Sequence, residues 1–106
     1  MLAKKYRLSR GQIGLIYKKG KKKSFGKLSV RYLGNRVGFT RFGISVSAKV
    51  YNKATARNRL CRIIYDELAK SKFIVNRDML LTVFSQLSEE EAKKNINEIK
   101  CAENWL

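Results

Sequence analysis

The sequence predicts an α+β fold: a single-layer, mostly antiparallel sheet of about four strands packed with three helices, in the order α-βββ-α-β-α. Three observations carry that expectation. Capping boxes at Ser9-Arg10-Gly11-Gln12 and Ser88-Glu89-Glu90-Glu91 open helices toward the two ends of the 106-residue chain. Between them, residues 28–33 and 37–49 alternate with the period of strands. No repeat, linker or low-complexity tract divides the chain. Residues 1–106 therefore read as one domain, large enough to bury about 65% of the surface its unfolded chain would expose. An apolar share of 44% is ordinary for a globular protein and argues against disorder.

Taken in order, residues 1–8 read as a basic arm without periodicity. The first capping box starts a helix with Ile13, Ile16 and Tyr17 on one side, and Gly20 is placed to stop it. Gly11 and Gly14 weaken this helix by propensity, so it must lean on tertiary packing. Lys21-Lys22-Lys23 begins a basic stretch that is either a loop or a short first strand. Leu28, Val30 and Tyr32 alternate with Ser29, Arg31 and Leu33 as in a half-buried strand, and Gly34-Asn35 makes a turn. From Val37 to Lys49 the chain is β-rich, with Ile44 and Val46 on one face and Ser45, Ser47 and Lys49 on the other. Gly38 and Gly43 suggest bends or bulges along it. Asn52 is placed to cap a helix running to about Lys70, whose buried stripe is Ala56, Leu60, Ile63, Ile64 and Leu68. Met79 to Ser85 is a further apolar strand, and the second capping box opens a helix with Ala92, Ile96 and Ile99 inward.

Charge narrows the function. The chain carries 24 Lys+Arg against 8 Asp+Glu, a formal net of +16. Residues 1–62 hold 18 of the basic side chains and no acid, whereas residues 63–106 hold 6 basic and all 8 acidic ones, a net of 6 − 8 = −2. Such segregation imposes self-repulsion that a polyanion partner relieves. Nucleic acid fits better than an anionic membrane, because no segment joins this charge to a clean amphipathic helix with large apolar anchors. No apolar run approaches the roughly 20 residues of a membrane span, and Met1 to Arg10 lacks the apolar core of a signal peptide. A cytoplasmic, monomeric protein is the expectation.

The same composition excludes much chemistry. There is no histidine, and Cys61 and Cys101 stand forty positions apart without ligand spacing, so a zinc site and histidine-dependent catalysis both fall away. Reduced, half-buried thiols are a plainer reading of the cysteines than a disulfide. The carboxylates are confined to residues 66–103, where Glu89-Glu90-Glu91 suits a helix start better than a metal site.

The most informative segment is Lys53 to Arg62. At 100° per residue, Asn58, Arg59 and Arg62 lie opposite the Leu60/Ile64 stripe, while Lys53 and Arg57 share one flank. The cations crowd the first half of the helix and Asp66 and Glu67 follow in the second, against a dipole worth about 0.3–1 kcal/mol per exposed charge. Phosphates at this helix start would meet free N–H groups, the positive dipole end and several guanidinium forks, and Asn58 offers a base-edge or sugar contact. An ordinary solvated basic helix is the bland alternative.

Tyr51-x-x-Ala54-x-x-Arg57-Asn58-Arg59-Leu60-x-Arg62 resembles the signature helix of the bacterial ribonuclease P protein subunit. Arg7-Leu8 ahead of a short helix ending in Gly20, the strand from Leu28 to Leu33, the strand Arg41-Phe42-Gly43-Ile44-Ser45-Val46-Ser47-x-Lys49, and Leu87-Ser88 before an acidic helix are similar to further parts of that family, in order. The resemblance covers about residues 7–100. It implies a non-catalytic subunit of an endoribonuclease, in which a catalytic RNA with bound Mg2+ removes the 5′ leader of precursor tRNA, the metal acting through RNA and substrate rather than through a dedicated protein site. It implies that Lys53, Arg57, Asn58, Arg59 and Arg62 bind the RNA subunit. It also implies that Ile13, Tyr17, Tyr32 and Lys49, with Ser45 and Ser47 on the same strand face, hold the leader in a cleft, and that the fold contains a left-handed βαβ crossover. Tyr17 and Tyr32 suit base stacking and Lys49 a phosphate; core packing with hydroxyls at the rim is the alternative for both tyrosines. The chain departs from the family pattern at Ile13, usually aromatic, at Cys61 and Tyr65, commonly basic, and at Ser85-Gln86, usually Arg-Pro.

Two rivals remain beside this reading. One is a ribosomal or general structured-RNA-binding protein without a role in tRNA processing, which has no use for a Lys49-bearing polar strand face beside tyrosines. The other is a DNA-binding protein using the 53–70 helix in a major groove, which usually follows a preceding helix where here the sequence reads as strand.

Overall fold

The computed structural model describes residues 4–71 and 77–101. Residues 1–3, the beginning of the basic arm, lie outside the described residues. After a 3-10 turn at Lys4–Tyr6, the elements are α1 (Arg10–Lys19), β1 (Lys21–Phe25), β2 (Leu28–Gly34), β3 (Arg41–Val46), α2 (Ala54–Ser71), β4 (Arg77–Val83) and α3 (Glu89–Cys101). Both capping boxes form. Ser9 N–H donates to Gln12 Oε1 at 2.7 Å while Ser9 Oγ accepts from the Gln12 N–H at 3.3 Å. Ser88 and Glu91 repeat the exchange at 3.0 and 3.2 Å.

The four strands make one mixed sheet in the order β1-β2-β4-β3. β1 with β2 and β2 with β4 are antiparallel, and β3 runs parallel to β4 through the α2 crossover, so the sheet is mostly antiparallel with one βαβ unit, as expected. β4 is therefore an inner strand, and Met79, Leu80, Leu81 and Val83 along it are all buried. The basic stretch after Gly20 is a strand at the sheet edge, closed onto β2 by the two-residue turn Gly26-Lys27 between the paired Phe25 and Leu28. Gly26 adopts φ +60°, which a primed hairpin turn needs, and Asn95 of α3 packs where its Cβ would stand.

The register assigns each side chain to a face. Leu28, Val30, Phe42, Met79, Leu81 and Val83 form the main core with Leu60, Ile64 and Leu68 of α2 and Ala92, Ile96 and Ile99 of α3. Each large side chain buried there is worth about 1.5–3 kcal/mol of transfer free energy. Leu80 and Ile16 are buried outside that cluster, because α1 covers the opposite face of β2 and β4. The sheet is thus a single layer with helices on both sides. Gly43 is no bulge. A Cβ there would meet Leu8 and Leu80 side chains, both at 3.2 Å, so the glycine lets the N-terminal segment lie flat on the sheet. That segment extends β3: Arg7 bridges Phe42 in parallel and the Leu8 N–H donates to Phe42 C=O at 2.8 Å, so the end of the basic arm is docked on the sheet.

One polar cluster ties the other end of the sheet. Arg41 donates two parallel hydrogen bonds to the Asp78 carboxylate, both at 2.7 Å, and Asn35 Nδ2 adds a third at 2.9 Å. Asp78 is buried, so these bonds replace the water it loses. Among the described residues no helix is long and apolar enough to cross a membrane.

Candidate nucleic-acid interface

The start of α2 is built by the turn that leaves β3. That strand ends at Val46, so Ser47 and Lys49 lie beyond it and not along it, correcting the longer strand expected. Ser47 C=O accepts from the Val50 and Tyr51 N–H groups at 3.1 and 3.0 Å, and Ser47 Oγ accepts from the Lys49 N–H at 3.1 Å. This compact turn leaves the Lys49 side chain exposed. The first helical bond runs from the Arg57 N–H to Lys53 C=O, so Lys53 and not Asn52 stands at the cap position.

Cross-links then hold that helix start to the segment entering α3. The Tyr51 hydroxyl accepts from the Leu87 N–H at 3.0 Å and donates to Leu87 C=O at 3.1 Å. Gln86 Nε2 donates to Val50 C=O at 3.0 Å. Arg57 Nη1 donates to Tyr51 C=O at 2.7 Å, and the side chain is half-buried. Arg57 thus spends part of its fork inside the protein, whereas Lys53, Asn58, Arg59 and Arg62 are exposed. No acid stands in the first turn of α2. The exposed edge therefore adds its cations to the positive end of the helix dipole, an arrangement unfavourable alone and favourable against phosphate.

The face of the sheet under α1 is the second candidate surface. Tyr17 projects from α1 and is exposed, with the Arg31 guanidinium 5.0 Å from its ring centroid, a cation–π distance. Ile13 is half-buried on the same helix. Ser45 pairs with Thr82, Thr82 with Ser29 and Ser29 with Ser24, so one row of hydroxyl side chains crosses all four strands. Ser29 is itself buried, which leaves Ser24, Ser45 and Thr82 as the open members. Ser45 lies at the end of β3 from which the 47–51 turn departs, so this row and the start of α2 share one end of the sheet.

Tyr32 does not belong to this surface. It sits in register with Met79 and packs against the main core on the α2/α3 side, opposite Tyr17. Arg31 takes the place assigned to it. The signal was in the strand pattern, where Leu28, Val30 and Tyr32 share a face and Ser29 and Arg31 the other. Of the six residues assigned to a leader cleft, Ile13, Tyr17 and Ser45 belong to the α1 side, Ser47 and Lys49 stand at its margin, and Tyr32 is excluded. Arg31, Ser24 and Thr82, which the sequence reading did not single out, lie on that same face.

The departures at Cys61 and Tyr65 also find a place. Cys61 is half-buried, and burial pushes its thiol above the ordinary range, away from the reactive thiolate. Burial likewise raises the Tyr65 phenol, reinforced by Cys61 and opposed by Arg7, whose guanidinium lies 5.6 Å from the ring. Among the described residues no three His, Cys, Asp or Glu side chains come together to hold a metal ion.

With this geometry in hand, the chain compares closely with one group of proteins. A family model described as Ribonuclease P matches residues 2–103. The ribonuclease P protein component of Synechocystis sp. (strain ATCC 27184 / PCC 6803 / Kazusa) is 50% identical over 50 residues, which are 46% of this chain and 40% of that protein. The matched stretch thus spans less than half of that relative. A Staphylococcus aureus RNase P protein mutant superposes with a TM-score of 0.83 at 25% identity, covering 94% of this chain and 90% of the other. The Thermotoga maritima RNase P protein shares the fold, with a TM-score of 0.77 at 24% identity over 88% and 93% of the two chains.

Proposed function

The chain belongs to the ribonuclease P protein family, and from that premise we propose that it is the protein subunit of ribonuclease P, assisting removal of the 5′ leader from precursor tRNA. The observation that carries the proposal is the exposed edge of α2, where Lys53, Asn58, Arg59 and Arg62 line the cap and first half of a helix whose first turn holds no acid. That edge docks on the RNA subunit through phosphates, and Arg57 shapes the turn that presents it. The leader crosses the α1 side of the sheet. There Tyr17 offers a ring for a base, Arg31 backs that ring and offers a cation, and Ser45 and Thr82 offer hydroxyls to the sugar–phosphate chain. Ile13 adds apolar contact only. Lys49 and Ser47, at the turn joining the two surfaces, meet the strand as it passes toward the RNA subunit. Hydrolysis belongs to the RNA subunit, whose bound Mg2+ supplies the chemistry; this chain binds and orients.

The test is cleavage of a precursor tRNA by a bacterial ribonuclease P RNA at low magnesium, with and without this protein. Protein-dependent release of the 5′ leader is the expected result. RNA binding without any stimulation, with every RNA subunit tried, would leave a structured-RNA-binding protein outside tRNA processing.

A further inference from the structure

Beside the exposed edge of α2 lies an open groove of about 520 Å³, between the first half of that helix and the segment entering α3. Ala56, Leu60, Ile63 and Leu87 give it apolar surface, and Arg59 and Glu89 bring one charge of each sign. Tyr51, also in its wall, is pinned at both ends, through its hydroxyl to Leu87 and through its C=O to Arg57, so the groove is held open before any partner arrives. Its chemistry differs from the rest of the basic surface. Phosphates alone would call for cations only, yet a carboxylate stands here, at the start of α3, and among the described residues its ion pair is an exposed one with Lys93 at 3.5 Å.

A carboxylate only accepts hydrogen bonds. In an RNA partner its targets are the ribose 2′-hydroxyls and the amino and imino N–H groups on base edges, and only the base edges can offer it two donors side by side. The apolar surface suits the face of a base, and Arg59 suits the phosphate that carries it. The lining thus matches the three parts of one nucleotide lifted out of its stack. Guanine sets an imino and an amino N–H side by side, matching the two oxygens of Glu89. Uracil presents one N–H between two carbonyls that a carboxylate repels.

We propose that this groove receives a single unstacked guanine nucleotide of the bound RNA, its base against Ile63, Leu60 and Leu87, its edge on Glu89 and its phosphate on Arg59. The inference rests on the RNA-binding reading of α2. Its test uses free nucleotides and no ribonuclease P RNA, so the two can fail separately.

The full-length protein, labelled at its methyl groups, is titrated with 5′-GMP, 5′-UMP and inorganic phosphate and followed by NMR. The Ala56, Leu60, Ile63 and Leu87 methyl signals should move saturably with GMP, with a Kd on the order of millimolar. UMP should bind on the order of tenfold more weakly, and phosphate should leave these methyls still. Glu89→Gln, an exposed change that spares the fold, should erase the preference for GMP. Ala56→Leu, checked by thermal melting, should fill the groove and abolish the response. The proposal is overturned if GMP moves only what phosphate moves, if GMP and UMP bind wild type equally, or if Glu89→Gln keeps the wild-type preference.

Discussion

Arg57 and Arg59 stand two positions apart in one basic block, and the fold gives them different tasks. Arg59 is exposed, whereas Arg57 holds Tyr51 C=O at 2.7 Å. Arg59→Ala should therefore weaken RNA-subunit binding while leaving stability within about 0.5 kcal/mol of wild type. Arg57→Ala should cost about 1.5 kcal/mol of stability, the worth of a charged hydrogen bond, read as a lower urea midpoint. Equal stabilities for the two variants would contradict the structural task assigned to Arg57. The tyrosines divide in the same way. Tyr17→Ala should reduce affinity for precursor over mature tRNA by about 1–3 kcal/mol, the worth of one stacked base. Tyr32→Ala should lower the melting temperature instead, because its ring packs on the main core. If Tyr32→Ala selectively lost the precursor and kept its melting temperature, the assignment of faces would be wrong.

Among the elements, α1 and α3 show local signals resolved by distant contacts. Gly20 ends α1 as its position predicts, but its φ of −74° is open to any residue. What excludes a side chain there is close approach: a Cβ would lie 2.5 Å from Ile16 C=O and 3.0 Å from Tyr32 C=O. The capping box of α3 is joined by Lys27 of the hairpin turn, whose ammonium lies 2.6 Å from Glu91 Oε2. That ammonium, with the Ser88 N–H, holds the Glu91 carboxyl below the usual carboxylate range. A carboxylate whose pKa falls on folding stabilises the fold above its unfolded pKa of about 4.3, and the gain is lost as pH falls through the lower folded value. The melting temperatures of wild type and Glu91→Gln should thus differ by a constant amount from pH 7 to about 5 and converge below about 4. A difference that grew on acidification would refute the pairing as the source of stability. β1 illustrates a different control: Lys21, Lys22 and Lys23 on an edge strand discourage pairing with another sheet while extending the basic surface.

At the scale of the whole molecule, the charge of +16 makes association electrostatic first. Six to ten phosphate contacts would lose about 10³–10⁵ in affinity between roughly 50 and 200 mM salt, and a salt titration of RNA-subunit binding should show that slope. A flat response would remove the basis for the interface on α2. The sequence by itself determined the element order, both capping boxes, the core stripe of α3, the Leu60, Ile64 and Leu68 part of the stripe of α2 and the basic helix, because each rests on periodicity or on partners three or four residues away; Ala56 and Ile63, expected in the same stripe, are half-buried in the groove wall instead. It also carried the faces of β2, since alternation set Arg31 apart from Tyr32; a motif comparison shifted by one residue reverses every side chain of a strand. Tertiary structure alone decided the rest. The place of β4 between β2 and β3, the hydroxyl row across four strands, the docking of Leu8 over Gly43 and the division of labour between Arg57 and Arg59 all depend on residues far apart in the chain. No local pattern encodes such pairings: they form only where burying the apolar faces of β4, α2 and α3 together brings those residues within bonding distance.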